Sequence, residues 1–172
     1  MKRVIALIFL IFTSGSIYLI FAQNTAPRFQ LNDLDGESKD LKDYLGKGPI
    51  VLDFWATWCK PCIKYLPEIQ KLYEKYKEHD LVVLSVNVDS PRNRSKIKPF
   101  VKSKGLTFPV LLDDNSQIMR RYQIFSIPAT VLISVEGKIK QTHTGYRSGD
   151  EKKLELKIRE MLELETEKDA GR

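Results

Sequence analysis

The chain has 172 residues, and 42% of its side chains are hydrophobic and 29% are charged. This composition is typical of a globular protein with one domain, and it excludes a disordered chain or a membrane protein with several spans. The formal charge is +6. Lys2 and Arg3 precede the first apolar run, and without them 26 basic side chains face 22 acidic ones, an excess of +4. Because the chain has no nucleic-acid-binding motif, this mild excess predicts no nucleic-acid partner.

Residues 1–26 have the layout of an export signal. Two positive charges precede an apolar run to Phe12, and a second apolar run ends at Ala22, a position where cleavage can occur. Val4 to Ala22 is also 19 uncharged residues long, just enough to span a bilayer as an uncut anchor. We expect cleavage rather than anchoring, because the polar Thr-Ser-Gly-Ser centre weakens the span. Both outcomes place the domain in the periplasm or on the outer face of the cytoplasmic membrane.

The first half of the remaining chain alternates apolar runs with turn residues. In "RFQLNDLDGESKDLKDYL" the alternating start predicts a short strand, the Asp-Gly pair a turn and the last residues a brief helix. The run "PIVLDFWA", interrupted only by Asp53, predicts a strand buried on both faces. From Cys59 to His79 apolar residues recur every three or four positions, which predicts an amphipathic helix with both cysteines in its first turn. Pro61 suits that first turn, and Pro67 is expected to kink the helix.

The second half continues the alternation of strands and helices. "LVVLSVNV" predicts a second buried strand, and the basic "PRNRSKIKPFVKSK" predicts a surface helix that is interrupted near Pro99 and has a solvated charged face. A short extended piece, a short helix, the strand "ATVLISV", the alternating strand "KIKQTHTGY" and an amphipathic helix between Gly149 and Glu167 follow. This order predicts an α/β domain over residues 27–167 with a mixed sheet flanked by helices, and a disordered tail at 168–172.

The two cysteines could form a structural staple, half of a metal site or a redox reagent. A disulfide that encloses only two residues adds little stability, because it constrains the unfolded chain so little. One Cys-x-x-Cys pair supplies two of the four ligands of a closed zinc site, and only His79 and His143 could add to them. We therefore predict no bound metal, although a copper carrier that uses His143 stays open as an alternative.

The position of the pair at a helix start favours the redox reagent. Unpaired backbone N–H groups and the positive end of the helix dipole meet at Cys59, so its thiolate should be stabilised and its pKa should lie below the ordinary value of about 8.5. Cys62, one turn deeper, would then attack the mixed disulfide that Cys59 forms with a partner. Lys60 adds a positive charge next to the first cysteine.

Two further residues bear on this chemistry. Asp53 lies in an apolar run, so burial should raise its pKa and let it exchange a proton with Cys62, unless it caps a loop at the edge of a strand. Pro128 directly precedes a strand. An Ile127–Pro128 bond in the cis form would present a backbone edge to an extended substrate, whereas a trans proline would only begin the strand.

These residues carry a family resemblance. "VLDFWATWCKPC", "SIPAT" and the hairpin through Gly145 resemble the thioredoxin superfamily. The export segment, the opening "APRFQLNDLDGE" and the inserted "VNVDSPRNRSKIKPFVKSKGLTFPVLLDD" resemble, more narrowly, the TlpA/ResA-like exported thiol-disulfide oxidoreductases. The similarity covers about residues 26–165. It implies a thioredoxin fold with an N-terminal extension and a central strand-helix insertion, and a redox-active cysteine pair in place of any bound cofactor.

The resemblance also implies roles for individual residues. Cys59 would be the nucleophile, Cys62 the resolving thiol and Asp53 the buried acid. The residues expected at the substrate-binding surface are Trp58, Lys60, Pro61, Ile127 and Pro128. The implied partners are protein disulfides and a membrane-embedded thiol reductase that supplies electrons, and we expect the protein to be a monomer.

Two departures from related patterns separate this chain from specialised relatives. Many TlpA/ResA-like proteins carry a glutamate three residues after the second cysteine, linked to cytochrome maturation, and an asparagine at the place of Asp53. This chain has Tyr65 at the first place, so we expect general disulfide reduction, with cytochrome c maturation as the alternative.

Thiol peroxidases of similar fold carry a Pro-x-x-x-Thr-x-x-Cys arrangement. This chain has Leu52 and Ala56 in place of the proline and the threonine, so it lacks the threonine that polarises peroxide.

Overall fold

A seven-stranded mixed sheet runs through residues 24–163, the part of the chain that the computed structural model describes. Most of the predicted export segment and the predicted tail lie outside these residues. The strands are β1 (Gln30–Asp33), β2 (Ser38–Asp40), β3 (Ile50–Trp55), β4 (Val82–Asn87), β5 (Val110–Leu112), β6 (Ala129–Ile133) and β7 (Ile139–Thr144). The α-helices are α1 (Lys60–Tyr76), α2 (Arg94–Ser103), α3 (Gln117–Arg121) and α4 (Asp150–Met161). Between residues 24 and 163 no helix is both long and apolar enough to cross a membrane.

The strand order is β2-β1-β5-β4-β3-β6-β7. Strands β3, β4 and β5 run parallel, and β6, β7, β1 and β2 are each antiparallel to the strand beside them. All six residues of β3 are buried, because helices cover the centre of the sheet on both faces. Burying each large aliphatic side chain of this strand contributes about 1.5–3 kcal/mol, so β3 and β4 anchor the core.

The predicted thioredoxin fold is confirmed, and the two predicted additions occupy one side of the sheet. The N-terminal extension forms the β1–β2 hairpin, and β1 pairs with β5. The inserted segment supplies α2 and β5, and β5 lies between that hairpin and β4. The cysteines and the predicted cis proline belong to the other side, where β3, β6 and β7 pair.

Two details of the sequence prediction were wrong. Helix α2 is not interrupted near Pro99 but continues through it. Pro99 is only the sixth residue of α2, so its missing N–H removes one hydrogen bond near the start of the helix. Strand β2 was not predicted, because "SKD" has no apolar pattern of its own and becomes a strand only by pairing with β1.

Candidate active site

The two cysteines lie where strand β3 gives way to helix α1. Cys59 is the N-cap of α1, and its Sγ accepts a hydrogen bond from the backbone N–H of Cys62 at 3.2 Å. Pro61 lies in the first turn, and this turn contains no acidic residue. The positive end of the helix dipole therefore acts on Cys59 without a competing carboxylate on the helix, which favours a thiolate at this sulfur.

Cys59 and Cys62 form a disulfide with an S–S distance of 2.00 Å. The sequence predicts one exposed and one buried sulfur, but the structure buries both residues. Cys59 is 5% exposed and Cys62 1% exposed. The order of accessibility is the predicted one, and a partner thiol has to approach Cys59 from the surface next to it.

The loop before Cys59 is held by a carboxylate that the sequence patterns did not single out. Asp89 is fully buried and accepts hydrogen bonds from the backbone N–H of Thr57 at 2.7 Å and from its hydroxyl at 2.9 Å. The side-chain amide of Asn87 donates to the same carboxylate at 2.9 Å. The sequence did contain a signal for this residue. Asn87 and Asp89 are polar residues at the carboxyl end of buried strand β4, and the carboxyl ends of neighbouring parallel strands meet at one edge of the sheet.

Asp53 lies in the middle of β3, paired with Ser85 of β4 and Thr130 of β6, so it is not a capping residue at a strand edge. It is 1% exposed, and burial raises its pKa from 3.8 to about 7, with the Thr130 hydroxyl acting in the opposite direction. Its Oδ1 has no hydrogen-bond partner within residues 24–163. A carboxyl group in this state can take up and release a proton near neutral pH.

The buried face of α1 covers Asp53. Cys62, Tyr65, Leu66 and Ile69 are its buried residues nearest the disulfide. Tyr65 stacks on Tyr146 with ring centroids 4.5 Å apart, and burial raises the pKa of its hydroxyl, with the charge of Asp53 adding to the effect. Tyr65 thus lies near Asp53, and Cys62 is buried three residues earlier on the same helix.

The predicted substrate-binding residues fall into two groups. Pro61, Ile127 and Pro128 line one groove of about 570 Å³ together with Gly145 and Tyr146. The Ile127–Pro128 bond is cis, which agrees with the resemblance to thioredoxins. The other two predicted residues, Trp58 and Lys60, do not line this groove but are exposed beside the disulfide. Trp58 is 63% exposed.

A second exposed apolar side chain, close in sequence to the groove, was not predicted. Phe125 is 86% exposed and lies three residues before Pro128. A single aromatic residue in a loop has no periodic pattern that could mark it. An exposed ring close in sequence to the groove is suited to contact the apolar side chains of a partner protein.

The two histidines lie in different parts of the fold. His79 follows the far end of α1, a helix of 17 residues and thus about 25 Å in length, so it cannot join the cysteines in one metal site. His143 lies on β7 opposite Thr130. Within residues 24–163, no cluster of three or more His, Cys, Asp or Glu side chains could hold a metal ion.

The fold, the disulfide at the start of α1 and the buried acid in the preceding strand define a thioredoxin-like thiol-disulfide oxidoreductase. The AhpC/TSA family matches residues 22–142. Two relatives are named thiol-disulfide oxidoreductase ResA. The protein from Geobacillus thermodenitrificans is 37% identical over 164 residues, covering 91% of this chain and 92% of the relative. The one from Geobacillus kaustophilus is 42% identical over 122 residues, covering 71% and 68%.

A solved structure agrees with these relatives. A Chlorobium tepidum protein described as the thiol:disulfide interchange protein DsbE superposes with a TM-score of 0.75 and is 32% identical, covering 81% of this chain and 96% of that one. The chain belongs to the AhpC/TSA family, among the ResA-like thiol-disulfide oxidoreductases. The predicted resemblance and the predicted enzyme class are thereby confirmed.

Proposed function

We propose that the protein reduces disulfides of other proteins outside the cytoplasm and is itself re-reduced by a membrane-embedded thiol reductase. The observation that carries the proposal is the Cys59–Cys62 disulfide at the start of α1 with Asp53 buried in the strand beneath it. The ResA relatives support the class of reaction. The export layout of residues 1–26 supports the location.

The reaction begins with the reduced protein. The Cys59 thiolate attacks one sulfur of a substrate disulfide, the substrate S–S bond breaks, and the first substrate thiolate takes a proton from solvent. Cys62 gives its proton to the Asp53 carboxylate, and its thiolate attacks Sγ of Cys59. The Cys59–Cys62 disulfide forms, and the second substrate thiolate leaves and is protonated. Two electrons pass to the substrate, which leaves as a dithiol.

Asp53 and the dipole of α1 act on different sulfurs in this sequence. The helix start favours the Cys59 thiolate and thus the first attack. The carboxylate in the interior accepts the Cys62 proton, which is needed for the second attack. Because burial raises the pKa of Asp53 to about 7, its carboxylate form is available at neutral pH and is still basic enough to take that proton.

The substrate surface combines the groove with the exposed rings. An extended peptide in the groove would contact Pro61, Ile127 and Pro128, while Trp58 and Lys60 would flank the sulfur under attack. None of these contacts requires a particular substrate sequence, which supports a range of protein disulfides. Tyr65 fits the same interpretation, because it places a neutral ring near Asp53 where a second acid would be expected in a cytochrome specialist.

The equilibrium reduction potential of the purified protein against glutathione tests the proposal. A potential near about −270 mV would support a reductant, and one near about −120 mV would overturn the assigned direction. Cys62→Ser, which stops the reaction after the first attack, should accumulate a mixed disulfide with protein substrates. Cys59→Ser is the matched control and should accumulate none.

Cytochrome c maturation is a second candidate, because the relatives that cover most of the chain are named ResA. The two candidates differ in what a deletion strain should lose. General reduction predicts that many exported proteins become more oxidised when the gene is removed. A cytochrome role predicts that the loss is confined to c-type cytochromes and that Tyr65→Glu improves complementation of that loss.

A further inference from the structure

A row of polar side chains crosses the sheet at the level of Asp53. Ser85, Asp53, Thr130 and His143 are directly paired neighbours on β4, β3, β6 and β7, so their side chains share one face. Three of the four have a buried polar atom without a hydrogen-bond partner in the described part of the chain, namely Ser85 Oγ, Asp53 Oδ1 and Thr130 Oγ1, whereas His143 Nε2 has only an ion-pair contact. Buried polar atoms are nearly always paired with protein or water. Three adjacent exceptions therefore mark a feature that packing does not explain.

A cavity lies beside this row on the same face of the sheet. It has a volume of about 30 Å³, and its polar lining consists of Tyr65, Thr130, Gln141, His143, Asp150 and Lys153. A space of this size with several polar groups can hold at least one ordered water. The cavity thus joins the Thr130 hydroxyl, next to Asp53, to the imidazole of His143.

His143 connects this interior space with solvent. Its Nε2 is buried, whereas its side chain as a whole is 39% exposed. The same nitrogen lies 3.3 Å from Oδ2 of Asp150. Asp150 is fixed in place by the backbone N–H of Arg147 at 2.8 Å and the ammonium group of Lys153 at 3.1 Å. Both contacts lower the pKa of Asp150, so a carboxylate faces the imidazole.

Among the residues that the structure describes, the other end of the row offers no second exit. On the other side of Ser85 the paired residue is Val110, which is 4% exposed and has no group that can carry a proton. Tyr65 covers the cavity from α1, and because burial raises the pKa of its hydroxyl it stays neutral at physiological pH. Lys153, on α4, points outward with its side chain 77% exposed. Of the groups facing the cavity, His143 combines a buried ring nitrogen with a side chain that reaches solvent, so it is suited to pass a proton outward.

We propose that Thr130, an ordered water in the cavity and His143 form the path by which Asp53 exchanges its proton with solvent. This proposal rests on the proposed function, in which Asp53 takes the proton of Cys62. His143 is thus a relay residue, and it does not contact the reacting sulfurs. The path makes the buried acid available for a new cycle without opening the core.

The transfer moves protons only, so it needs no oxidant or reductant. Protonated Asp53 gives its proton to the Thr130 oxygen while the Thr130 hydroxyl proton moves to the water. The water passes one of its protons to His143 Nε2, and the imidazolium releases a proton to solvent. Asp53 ends as a carboxylate, Thr130 and the water return to their starting forms, and His143 ends as the tautomer protonated at Nε2, which a further proton exchange with solvent resets. The two strand spacings between Asp53 and His143, roughly 10 Å, are too long for direct transfer, so the intermediate groups are needed.

Infrared spectroscopy of the purified protein tests this path directly. The carbonyl band of protonated Asp53, identified by its loss in Asp53→Asn, shifts when its proton exchanges for deuterium. After a jump into D₂O at a pH where Asp53 is protonated, we expect His143→Ala to slow this shift by at least about tenfold. Added imidazole, which fits the space left by the side chain, should restore the wild-type rate. His79→Ala is the matched histidine control and should exchange like the wild type.

The outcomes separate the relay from a structural role. Unchanged exchange in His143→Ala would overturn the proposal, and so would a slowing that imidazole does not reverse, because lost packing would then be the cause. If His143→Ala does not fold, His143→Gln keeps much of the side-chain volume and should show the same slowing. The experiment does not depend on the substrate. If the wild type fails to reduce protein disulfides while imidazole still restores the exchange rate in His143→Ala, the proposed function is disproved and the proton path stands.

Discussion

Asp53 and Asp113 are both almost completely buried, at 1% and 2% exposure, yet their surroundings are opposite. Asp113 follows β5 and accepts the backbone N–H groups of Gln117 and Met119 at 2.8 and 2.9 Å, and that of Ile118 at 3.2 Å, at the start of α3. Asp53 in the centre of β3 has an oxygen with no partner in the described residues. One carboxylate holds a helix start in place, and the other is left free to bind a proton.

Asp89 shows that position in the fold, rather than burial, separates the two kinds of carboxylate. It is fully buried beside the disulfide loop and accepts from Thr57 and Asn87. Like Asp113 it lies just beyond the end of a strand, where backbone N–H groups of nearby loops are free to donate. Inside a strand those groups are already used by the sheet, so a carboxylate such as Asp53 finds no backbone donors.

The largest expected effect concerns the pH dependence of stability. Between pH 3.8 and about 7 folded Asp53 keeps its proton while the unfolded chain has released it. The folded state then binds more protons, so stability falls as pH rises through this window and is lowest above pH 7. The wild type should lose up to about 4 kcal/mol relative to Asp53→Asn across it. Urea unfolding of the two oxidised proteins from pH 4 to pH 8 measures the difference.

This experiment compares how the free energy of unfolding changes with pH in the two proteins, and not its absolute value. Asn at position 53 also buries polar atoms, so the two proteins differ in stability at every pH. Parallel stability curves for wild type and Asp53→Asn would show that Asp53 is ionised in the folded protein throughout. The contrast with Asp113 would then be lost.

A smaller effect is expected at Asp113. Asp113→Ala removes the acceptor of three backbone N–H groups at the start of α3, which should lower the free energy of unfolding by about 3 kcal/mol. Asp113→Asn keeps one acceptor oxygen and should lose less. Denaturant unfolding measures both, and the disulfide exchange rate of the folded protein should not change. A slower exchange in either variant would mean that Asp113 is not purely structural.

The next effect is kinetic. Asp53→Asn should slow the attack of Cys62 on the mixed disulfide by about 100-fold at pH 7, equivalent to about 2.7 kcal/mol, because the proton acceptor is gone. Stopped-flow fluorescence of Trp55 and Trp58 can follow this step. Alkylation of Cys59 in the reduced protein is the internal control and should keep its rate, since Asp53 does not act on that sulfur. Equal slowing of both reactions would point to a general distortion of the site.

Local motifs were sufficient to predict where the two cysteines and Asp53 lie in the fold. Cys59, Cys62 and Asp53 stand within ten positions of one another, in a buried strand and the helix that follows it, so their relation depends only on local geometry. Pro128 required the resemblance to thioredoxins, because an Ile-Pro pair before a strand is compatible with either isomer. The order of strands and helices was also predicted from periodicity. The exceptions are the predicted interruption of α2 near Pro99, which is absent, and strand β2, which was not predicted.

The network behind Asp53 could not be predicted from the sequence. His143 faces Thr130 only because β6 and β7 pair in one particular register, and Asp150 reaches the imidazole only because α4 packs on the same face. Asp89 and Phe125 were missed for a related reason, since their roles arise from loops and strand ends that carry no periodic pattern. Residues brought together by tertiary pairing lie beyond what spacing along the chain can indicate.

The smallest expected effect is at Ser85, on the closed side of Asp53. Ser85→Ala removes an unpaired buried hydroxyl, so stability should change by less than about 1 kcal/mol, and a slight gain is expected. Proton exchange at Asp53 should keep its rate, because the path to solvent leads through Thr130. Thr130→Val is the matched variant: it removes the hydroxyl on the open side and should slow the exchange. Equal slowing in Ser85→Ala would show that protons leave Asp53 in both directions along the row, and the distinction between an open and a closed side would fail.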